Sequence, residues 1–254
     1  METAAAAPQP PPAGTVLAAP AFDGDIAPLT WFCPTTVPPR AAGGVLTVTP
    51  DAKTDFWQRT FYGFPDPQPH NGHVAFVEVV GDFVCTVSVT ARPRARYDQA
   101  GLMVFVPGSV GDWLKTSVEF IPDGPSHLGS VVTNGAFSDW ATQDLDLGAA
   151  DASSFDFRVR RLGCDYIVEA RPSAGPGSSG DGAERAWSQI RMAHLHADRV
   201  GAPVRVGLYA CSPIGVEGAA AVTAVAGTGP EAASLAATPF TAEFRGFQVV
   251  SGRL

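Results

Sequence analysis

Apolar and polar residues alternate along short runs of this chain, and turn residues separate one run from the next. The clearest runs span residues 45–49, 74–80, 83–90, 100–106, 113–121, 130–133, 155–162, 166–170, 204–211 and 240–250. Because successive side chains of a β-strand point to opposite faces, this period of two predicts strands. Many short strands with regularly spaced turns predict an all-β sandwich or barrel.

Turn residues also suggest how some of these strands are connected. Gly81-Asp82 directly joins two strand-like runs, which predicts a hairpin, and Gly163-Cys164-Asp165 predicts another. Asn134-Gly135 is a strong turn dipeptide. The stretch 187–196 fits either a strand or a short helix.

The organisation predicted from the sequence is a single folded domain behind a short leader. Residues 1–20 are rich in Ala and Pro and lack periodicity, so we expect a disordered leader. Residues 21–254 then form one domain, since a large β-sandwich can reach about 250 residues. Within it, the Gly/Ser-rich stretch 173–182 and the Ala/Gly-rich stretch 215–238 are expected to be loop insertions.

Composition narrows the possible partners. The formal net charge is −8 and there is no run of Lys or Arg, which argues against nucleic acid. No apolar stretch approaches the roughly 18 residues of a membrane span, and the N-terminal residues lack the features of a signal peptide. The four cysteines form no CxxC pair, and no metal-ligand or cofactor motif is present. We therefore expect a cytoplasmic protein without a cofactor, a bound metal or a membrane partner.

Strand alternation places polar and aromatic residues on the faces that point away from the core. In 113–119, for example, Trp113, Lys115 and Glu119 oppose the apolar Leu114 and Val118. If the strands are neighbours in one sheet, they form a ligand-binding patch of Gln99, Trp113, Lys115, Glu119, Trp140, Arg160, Glu169 and Arg191. The alternative is an ordinary solvated sheet with cross-strand ion pairs. Aromatic rings beside amides and charges are typical of sugar sites and favour the patch.

Four motifs carry a more specific signal. They are Asp55-Phe56-Trp57, the segment 97–102 (YDQAGL), 112–115 (DWLK) and Ser138-Asp139-Trp140. In this order they resemble the family called domain of unknown function 1349, also labelled "regulation of enolase protein 1-like", over residues 31–250. The resemblance implies a concanavalin A-like jelly-roll sandwich of two antiparallel sheets, one of them concave. It also implies a poorly defined role, since the wider superfamily contains lectins, glycan-binding modules and glycoside hydrolases.

The function predicted on these grounds is non-catalytic binding of a carbohydrate, or another small polar ligand, on the concave sheet face. One alternative is a protein-binding metabolic regulator of the enolase-regulation type, with a protein partner. A second is a glycoside hydrolase that uses Glu119 and Glu169 paired across the sheet. The sequence lacks the E-x-D-x-E run of such hydrolases. Lys115 near Glu119 also favours an ionised carboxylate, whereas an acid catalyst needs a raised pKa, so no catalytic residue is predicted.

Overall fold

The computed structural model describes residues 11–61, 70–109, 111–147, 152–173, 185–215 and 239–252. These residues form β-strands and connecting loops, and none lies in a helix long and apolar enough to cross a membrane. The strands are β1 (Val16–Ala18), β2 (Thr30–Phe32), β3 (Arg40–Ala42), β4 (Val45–Val48), β5 (His73–Val80), β6 (Phe83–Arg92), β7 (Gln99–Phe105), β8 (Trp113–Glu119), β9 (Ser126–Asn134), β10 (Phe137–Leu145), β11 (Ser153–Leu162), β12 (Asp165–Pro172), β13 (Ser188–His194), β14 (Pro203–Cys211) and β15 (Thr241–Ser251).

The strands form two antiparallel sheets that pack face to face. One is eight-stranded, with the order β13-β12-β11-β6-β15-β4-β3 and β1 added beside β15. The other is seven-stranded, with the order β10-β9-β8-β7-β14-β5-β2. Each predicted strand run is confirmed, and so is the concanavalin A-like jelly-roll class. The ambiguous stretch 187–196 contains strand β13.

The core lies between the sheets and is built from alternate residues, as the pattern predicted. Buried side chains such as Leu102, Leu114 and Val206 from the seven-stranded sheet meet Val87, Phe157 and others from the eight-stranded sheet. Burial of apolar area contributes about 25 cal/mol per Å², so this interior supplies most of the driving force for folding. A second apolar cluster lies on the opposite face of the seven-stranded sheet and includes Phe56, Met103, Trp113 and Tyr209.

Two of the three predicted turns connect paired strands. Strands β11 and β12 pair across Gly163-Cys164, and β9 and β10 pair across Gly135-Ala136. In the second turn Gly135 and Ala136 have φ of 56° and 66°, the left-handed values that a tight two-residue hairpin turn requires.

The predicted hairpin across Gly81-Asp82 is wrong. Strand β5 pairs with β14 and β2 in the seven-stranded sheet, whereas β6 pairs with β11 and β15 in the other sheet. The turn therefore carries the chain from one sheet to the other. A turn dipeptide indicates only that the chain reverses direction. The strands that pair with β5 and β6 come from other parts of the chain, so the turn does not specify them.

The pattern also missed strand β10, which lies at the edge of the seven-stranded sheet. Asp144 and Leu145 are the last two residues of this strand. Most of its side chains are exposed or half-buried, so the strand has no apolar face. Without a buried face there is no alternation to detect.

The boundary expected at residue 20 falls after a strand of the fold. Strand β1 pairs with β15 through Val16 and Ala18, and Ala18 is buried. Residues 1–10 of the expected leader, and nearly all of the expected insertions 173–182 and 215–238, lie outside the described residues.

Candidate functional site

The face of the seven-stranded sheet that points away from the core gathers five of the predicted ligand residues. Strand register places Gln99 opposite Glu119, and Lys115 between Met103 and Val131. Val131 in turn lies opposite Trp140 on the edge strand. Gln99, Trp113, Lys115, Glu119 and Trp140 thus share one surface, which we call the Lys115 face.

Lys115 is the centre of a buried polar network on this face. Its Nζ lies 3.1 Å from Asp55 Oδ1 and 2.9 Å from Gln99 Oε1, although the residue is only 2% exposed. The Tyr209 hydroxyl donates to the same Gln99 oxygen at 3.1 Å. Asp55, Gln99, Lys115 and Tyr209 are called the Lys115 network below. Buried charges occur only where such partners offset the lost hydration.

Asp55 comes from outside the sheet, on a segment that folds over the Lys115 face. Asn71 holds this segment in place, because its Oδ1 accepts from the Asp55 amide at 3.1 Å and its own amide donates to the Asp55 carbonyl at 3.1 Å. Phe56 pairs with His70 in an isolated antiparallel bridge, and its ring is buried against the sheet. The Asp55-Phe56-Trp57 motif therefore closes part of the face and supplies the counter-ion of Lys115.

The sequence-based prediction omitted Asp55 and Tyr209 from the site. Asp55 lies in a motif that carried the family resemblance, so for this residue the signal was available. Neither could be assigned to this face from alternation alone, because Asp55 is in a loop and the neighbours of Tyr209 depend on the pairing of β14 with β7.

The two ionisable groups of β8 respond differently to burial. Burial raises the pKa of Glu119 to about 7, with the positive charge of Lys115 opposing that rise and the charge of Asp55 adding to it. Burial by itself would lower the pKa of Lys115, but the nearby charges of Asp55, Cys211 and Glu119 outweigh it and raise the value. The expectation that Lys115 keeps Glu119 fully ionised is thus wrong, because removal from water has the larger effect.

Four half-buried rings form an aromatic cluster along the same face. The Trp140 ring lies 6.4 Å from Trp57, 6.4 Å from Tyr97 and 5.4 Å from His127, measured between centroids. His127 stands opposite Glu119 in the register of β8 and β9. Its buried Nδ1 has no hydrogen-bond partner among the described residues. Buried polar atoms are nearly always paired, so an unpaired one next to exposed ring surface marks a place where a ligand can bind.

Trp113 has a different position from the one expected of a ligand-binding aromatic residue. It is 1% exposed and packs against Phe56 and His70, with centroid distances of 6.0 and 6.5 Å. Its polar neighbours in the sequence, Asp112 and Lys115, made it look like a surface residue. The segment carrying Phe56 covers it, so the ring serves packing beneath that segment.

Three of the predicted ligand residues do not join the Lys115 face. Arg160 and Glu169 lie on β11 and β12 of the eight-stranded sheet, where Glu169 forms ion pairs with Arg158 at 2.7 Å and Arg160 at 3.1 Å. The expected single patch is therefore split between the outer faces of two sheets. The glycosidase pair Glu119 and Glu169 is also excluded, since the two strands do not share a sheet.

Arg191 departs from the expected face because of a β-bulge. It pairs with the core residue Val168, whereas Gln189 pairs with the outward-facing Glu169, and the register shifts between these two pairs. The bulge inserts one residue and so reverses the side to which the following residues point. The Arg191 guanidinium consequently reaches across the edges of the two sheets and donates to Asp139 of β10 at 2.8 Å.

The outer face of the eight-stranded sheet carries a groove of about 370 Å³. Trp187 contacts two guanidinium groups there, with Arg158 4.4 Å and Arg171 4.3 Å from its ring centroid. Two guanidinium groups in contact with the indole make cation–π interactions that hold this ring against the sheet.

A metal centre finds no support among the described residues, which contain no group of three or more His, Cys, Asp or Glu side chains placed to hold an ion. The four cysteines are all free thiols.

The two packed antiparallel sheets and the polar outer face of one of them define a concanavalin A-like β-sandwich protein. The family model described as "Protein of unknown function (DUF1349)" matches residues 31–249, and the chain belongs to this family.

Relatives with curated descriptions match part of the chain. It is 46% identical over 99 residues to "Regulation of enolase protein 1" of Saccharomyces cerevisiae. The matched residues make up 39% of this chain and 46% of the relative. It is 30% identical over 111 residues to an uncharacterized protein of Emericella nidulans, covering 42% of this chain and 52% of the relative. The chain thus spans about half the length of the curated relatives it matches.

Solved structures agree with the fold. A functionally unknown protein from Saccharomyces cerevisiae superimposes with a TM-score of 0.66 at 26% identity, covering 89% of this chain and 97% of the other. A mutant of the GH43 protein BlXynB from Bacillus licheniformis gives a TM-score of 0.60 at 14% identity, over 92% of this chain and 39% of the other. At that identity the second likeness shows the fold alone.

Proposed function

We propose that this protein is a non-catalytic binding protein whose ligand is a carbohydrate held at the aromatic cluster of the Lys115 face. The observation that carries the proposal is the unpaired, buried Nδ1 of His127, 5.4 Å from the half-buried ring of Trp140 in centroid distance. A sugar can contact both groups, because its C–H face stacks on an indole ring such as Trp140 and its hydroxyls donate or accept hydrogen bonds.

The Lys115 network supports the site from beneath. Lys115, Gln99 and Tyr209 are almost fully buried, so they hold the sheet face and the Asp55 segment rigid and do not themselves form the contact surface. Glu119 borders the cluster through its register partner His127 and is itself buried. Rigid polar sites of this kind fix ligand orientation at little cost in conformational entropy.

Binding without catalysis is supported by the hydrogen bonds of the Asp55 carboxyl group near Lys115. The Asp55 carboxylate accepts from Lys115 Nζ at 3.1 Å and from the Phe56 amide at 2.7 Å. These bonds assign it a structural role and leave it poorly placed as a nucleophile. A retaining glycosidase needs a free carboxylate about 5–5.5 Å from its acid, on the far side of the scissile bond.

A glycan array compared between the wild type and two matched tryptophan variants tests this proposal. Trp140→Ala removes the ring from the aromatic cluster, whereas Trp187→Ala removes a ring of the same kind from the outer face of the other sheet. We expect roughly tenfold weaker binding of the best glycan for Trp140→Ala, as the loss of about 1.4 kcal/mol of stacking implies. Trp187→Ala should bind like the wild type. Absence of any glycan signal for the wild type would exclude the carbohydrate proposal.

A second candidate function is regulation through a protein partner in the cytoplasm. It is favoured by the name of the yeast relative, "Regulation of enolase protein 1", which shares 46% identity over 99 residues. The proposal predicts that purified enolase binds the full-length chain in biolayer interferometry. Enolase binding together with a blank glycan array would favour this function, and the reverse result would favour the first.

A further inference from the structure

A cavity of about 250 Å³ lies at the end of the Lys115 face remote from the aromatic cluster. Its sheet side is formed by Phe32 of β2, Met103 and Phe105 of β7 and Arg205 of β14, all of which point away from the core. Phe56 and His70 close it from the covering segment. Ligand pockets usually begin at about 300 Å³, so this cavity suits a small molecule and excludes an oligosaccharide.

Aromatic rings line part of the cavity, in tilted and edge-to-face contacts with one another. Phe32 lies 5.9 Å from Phe105 and 5.8 Å from His70, and His70 lies 5.1 Å from Phe56, measured between ring centroids. Rings spaced in this way prefer another planar apolar group as their next neighbour, because the edge of one ring is attracted to the face of another.

Two polar groups border this apolar space. The buried Nδ1 of His70 has no hydrogen-bond partner among the described residues. Burial lowers the pKa of His70, so its ring is neutral near pH 7 and provides one donor and one acceptor. The Arg205 guanidinium lies over the Phe76 and Phe105 rings at 4.8 and 5.7 Å from their centroids.

Arg205 is able to exchange its present partner for a ligand anion. Its ion pair with Glu78 is 3.3 Å long, and the two side chains are 34% and 49% exposed. Exposed pairs of this kind contribute little to stability, so their rearrangement has a small cost. In a chain with a net charge of −8, a cation stacked at the mouth of an aromatic cavity is a distinctive feature.

We propose that this cavity binds a small planar aromatic carboxylate, with its ring packed against the rings of Phe32, Phe105 and His70 and its carboxylate paired with Arg205. The site is separate from the carbohydrate site proposed above and does not depend on it.

Isothermal titration calorimetry with 2-naphthoate and its neutral analogue 2-naphthamide tests the proposal on the full-length chain. We expect the wild type to bind 2-naphthoate more tightly than 2-naphthamide. In Arg205→Gln, 2-naphthoate should bind about tenfold more weakly, as expected for loss of one charge-assisted contact, while 2-naphthamide is unaffected. Arg205→Lys, which keeps the charge, should retain most of the affinity.

Matched controls locate the binding and guard against misfolding. Arg245→Gln changes an arginine of the other sheet, Trp140→Ala changes the carbohydrate site, and both should bind 2-naphthoate like the wild type. Thermal unfolding confirms that each variant is folded. The proposal is overturned if 2-naphthoate does not bind at millimolar concentration, if Arg205→Gln binds it normally, or if Arg205→Gln loses both ligands equally.

Discussion

Lys115 illustrates how a single residue can be both buried and charged on a sheet face. Its Nζ contacts the Asp55 carboxylate, the Gln99 amide oxygen and the Tyr209 ring, whose centroid lies 5.9 Å away. A buried charge is tolerated only while its partners remain, because removal of one partner exposes the other to the full desolvation penalty. The network is therefore expected to behave as a coupled unit.

Lys115→Met tests that coupling. The variant leaves Asp55, which is 21% exposed in its side chain, without its cation, and should lower the free energy of unfolding by about 1–3 kcal/mol. The double variant Lys115→Met/Asp55→Asn should lose less than the sum of the two single changes, as measured by urea denaturation. Arg245→Met, which removes an exposed ion pair with Glu243, should cost less than about 1 kcal/mol. Strict additivity of the two network variants would contradict the coupling.

Glu119 gives the stability of the protein a defined pH dependence. Its pKa is about 7 in the folded state and 4.5 for an ordinary glutamate. Between these values the folded protein holds a proton that the unfolded chain releases, so stability falls as pH rises from about 4.5 through 7. The contribution is about 3 kcal/mol, from 1.36 kcal/mol for each pH unit of difference. Glu119→Gln should therefore gain stability relative to the wild type as the pH rises from 5 to 8. Urea unfolding of both proteins at the two pH values measures this change.

The relevant comparison is the difference between the two proteins at each pH, since other groups titrate equally in both. A constant difference between the wild type and Glu119→Gln from pH 5 to pH 8 would show that Glu119 does not titrate in this range.

At the level of elements, a buried ion pair fastens the loop after β13 to strand β11. Arg161 Nε lies 3.0 Å from Asp198 Oδ2, and both side chains are completely buried. The Tyr166 hydroxyl of β12 donates to the same carboxylate at 2.6 Å. Arg161 also donates to the backbone carbonyls of Arg199 and Ala202, so one guanidinium orders the whole loop.

Asp198→Ala is expected to be the most destabilising single change discussed in this section. It leaves the Arg161 charge buried and unpaired, which costs about 3–5 kcal/mol. Chemical denaturation measures the loss, and Arg205→Ala serves as the comparison because its ion pair is exposed and should cost less than about 1 kcal/mol. Equal effects of the two substitutions would show that burial does not govern the strength of the Asp198 pair.

At the level of the whole molecule, the first and last described strands are held together. Strand β1 pairs with β15, the Gly14 amide donates to the Ser251 carbonyl at 2.8 Å, and the Ser251 amide donates to the Thr15 carbonyl at 2.9 Å. These bonds add β1 to the eight-stranded sheet and bring residues before position 20 into the fold.

Deletion of residues 1–20 is therefore expected to destabilise the domain. It removes three strand residues, the buried Ala18 and the hydrogen bonds to Ser251, and should lower the free energy of unfolding by about 1–3 kcal/mol. Differential scanning calorimetry of the full-length and shortened chains measures the effect. An unchanged melting temperature would place the start of the stable domain after residue 20.

The sequence by itself determined the strands that carry the core and the fold class. Alternation is local, because each side chain's face follows from its own position in a strand, so the sets Leu114/Val118 and Lys115/Glu119 were separated correctly. The family motifs then specified the concanavalin A-like sandwich. An edge strand with no buried face, β10, left no such pattern and was missed.

Only the tertiary structure decided which of these strands share a sheet. Pairing between distant strands depends on non-local hydrogen bonds, which alternation does not reveal. Lys115 and Glu169 were therefore predicted to share one patch, although β8 and β12 lie in different sheets. A bulge of one residue reversed the face of Arg191, and the segment carrying Asp55 and Phe56 covered a surface that looked exposed. Burial also decided the pKa of Glu119, because desolvation depends on what packs around a residue in the fold and not on its neighbours along the chain.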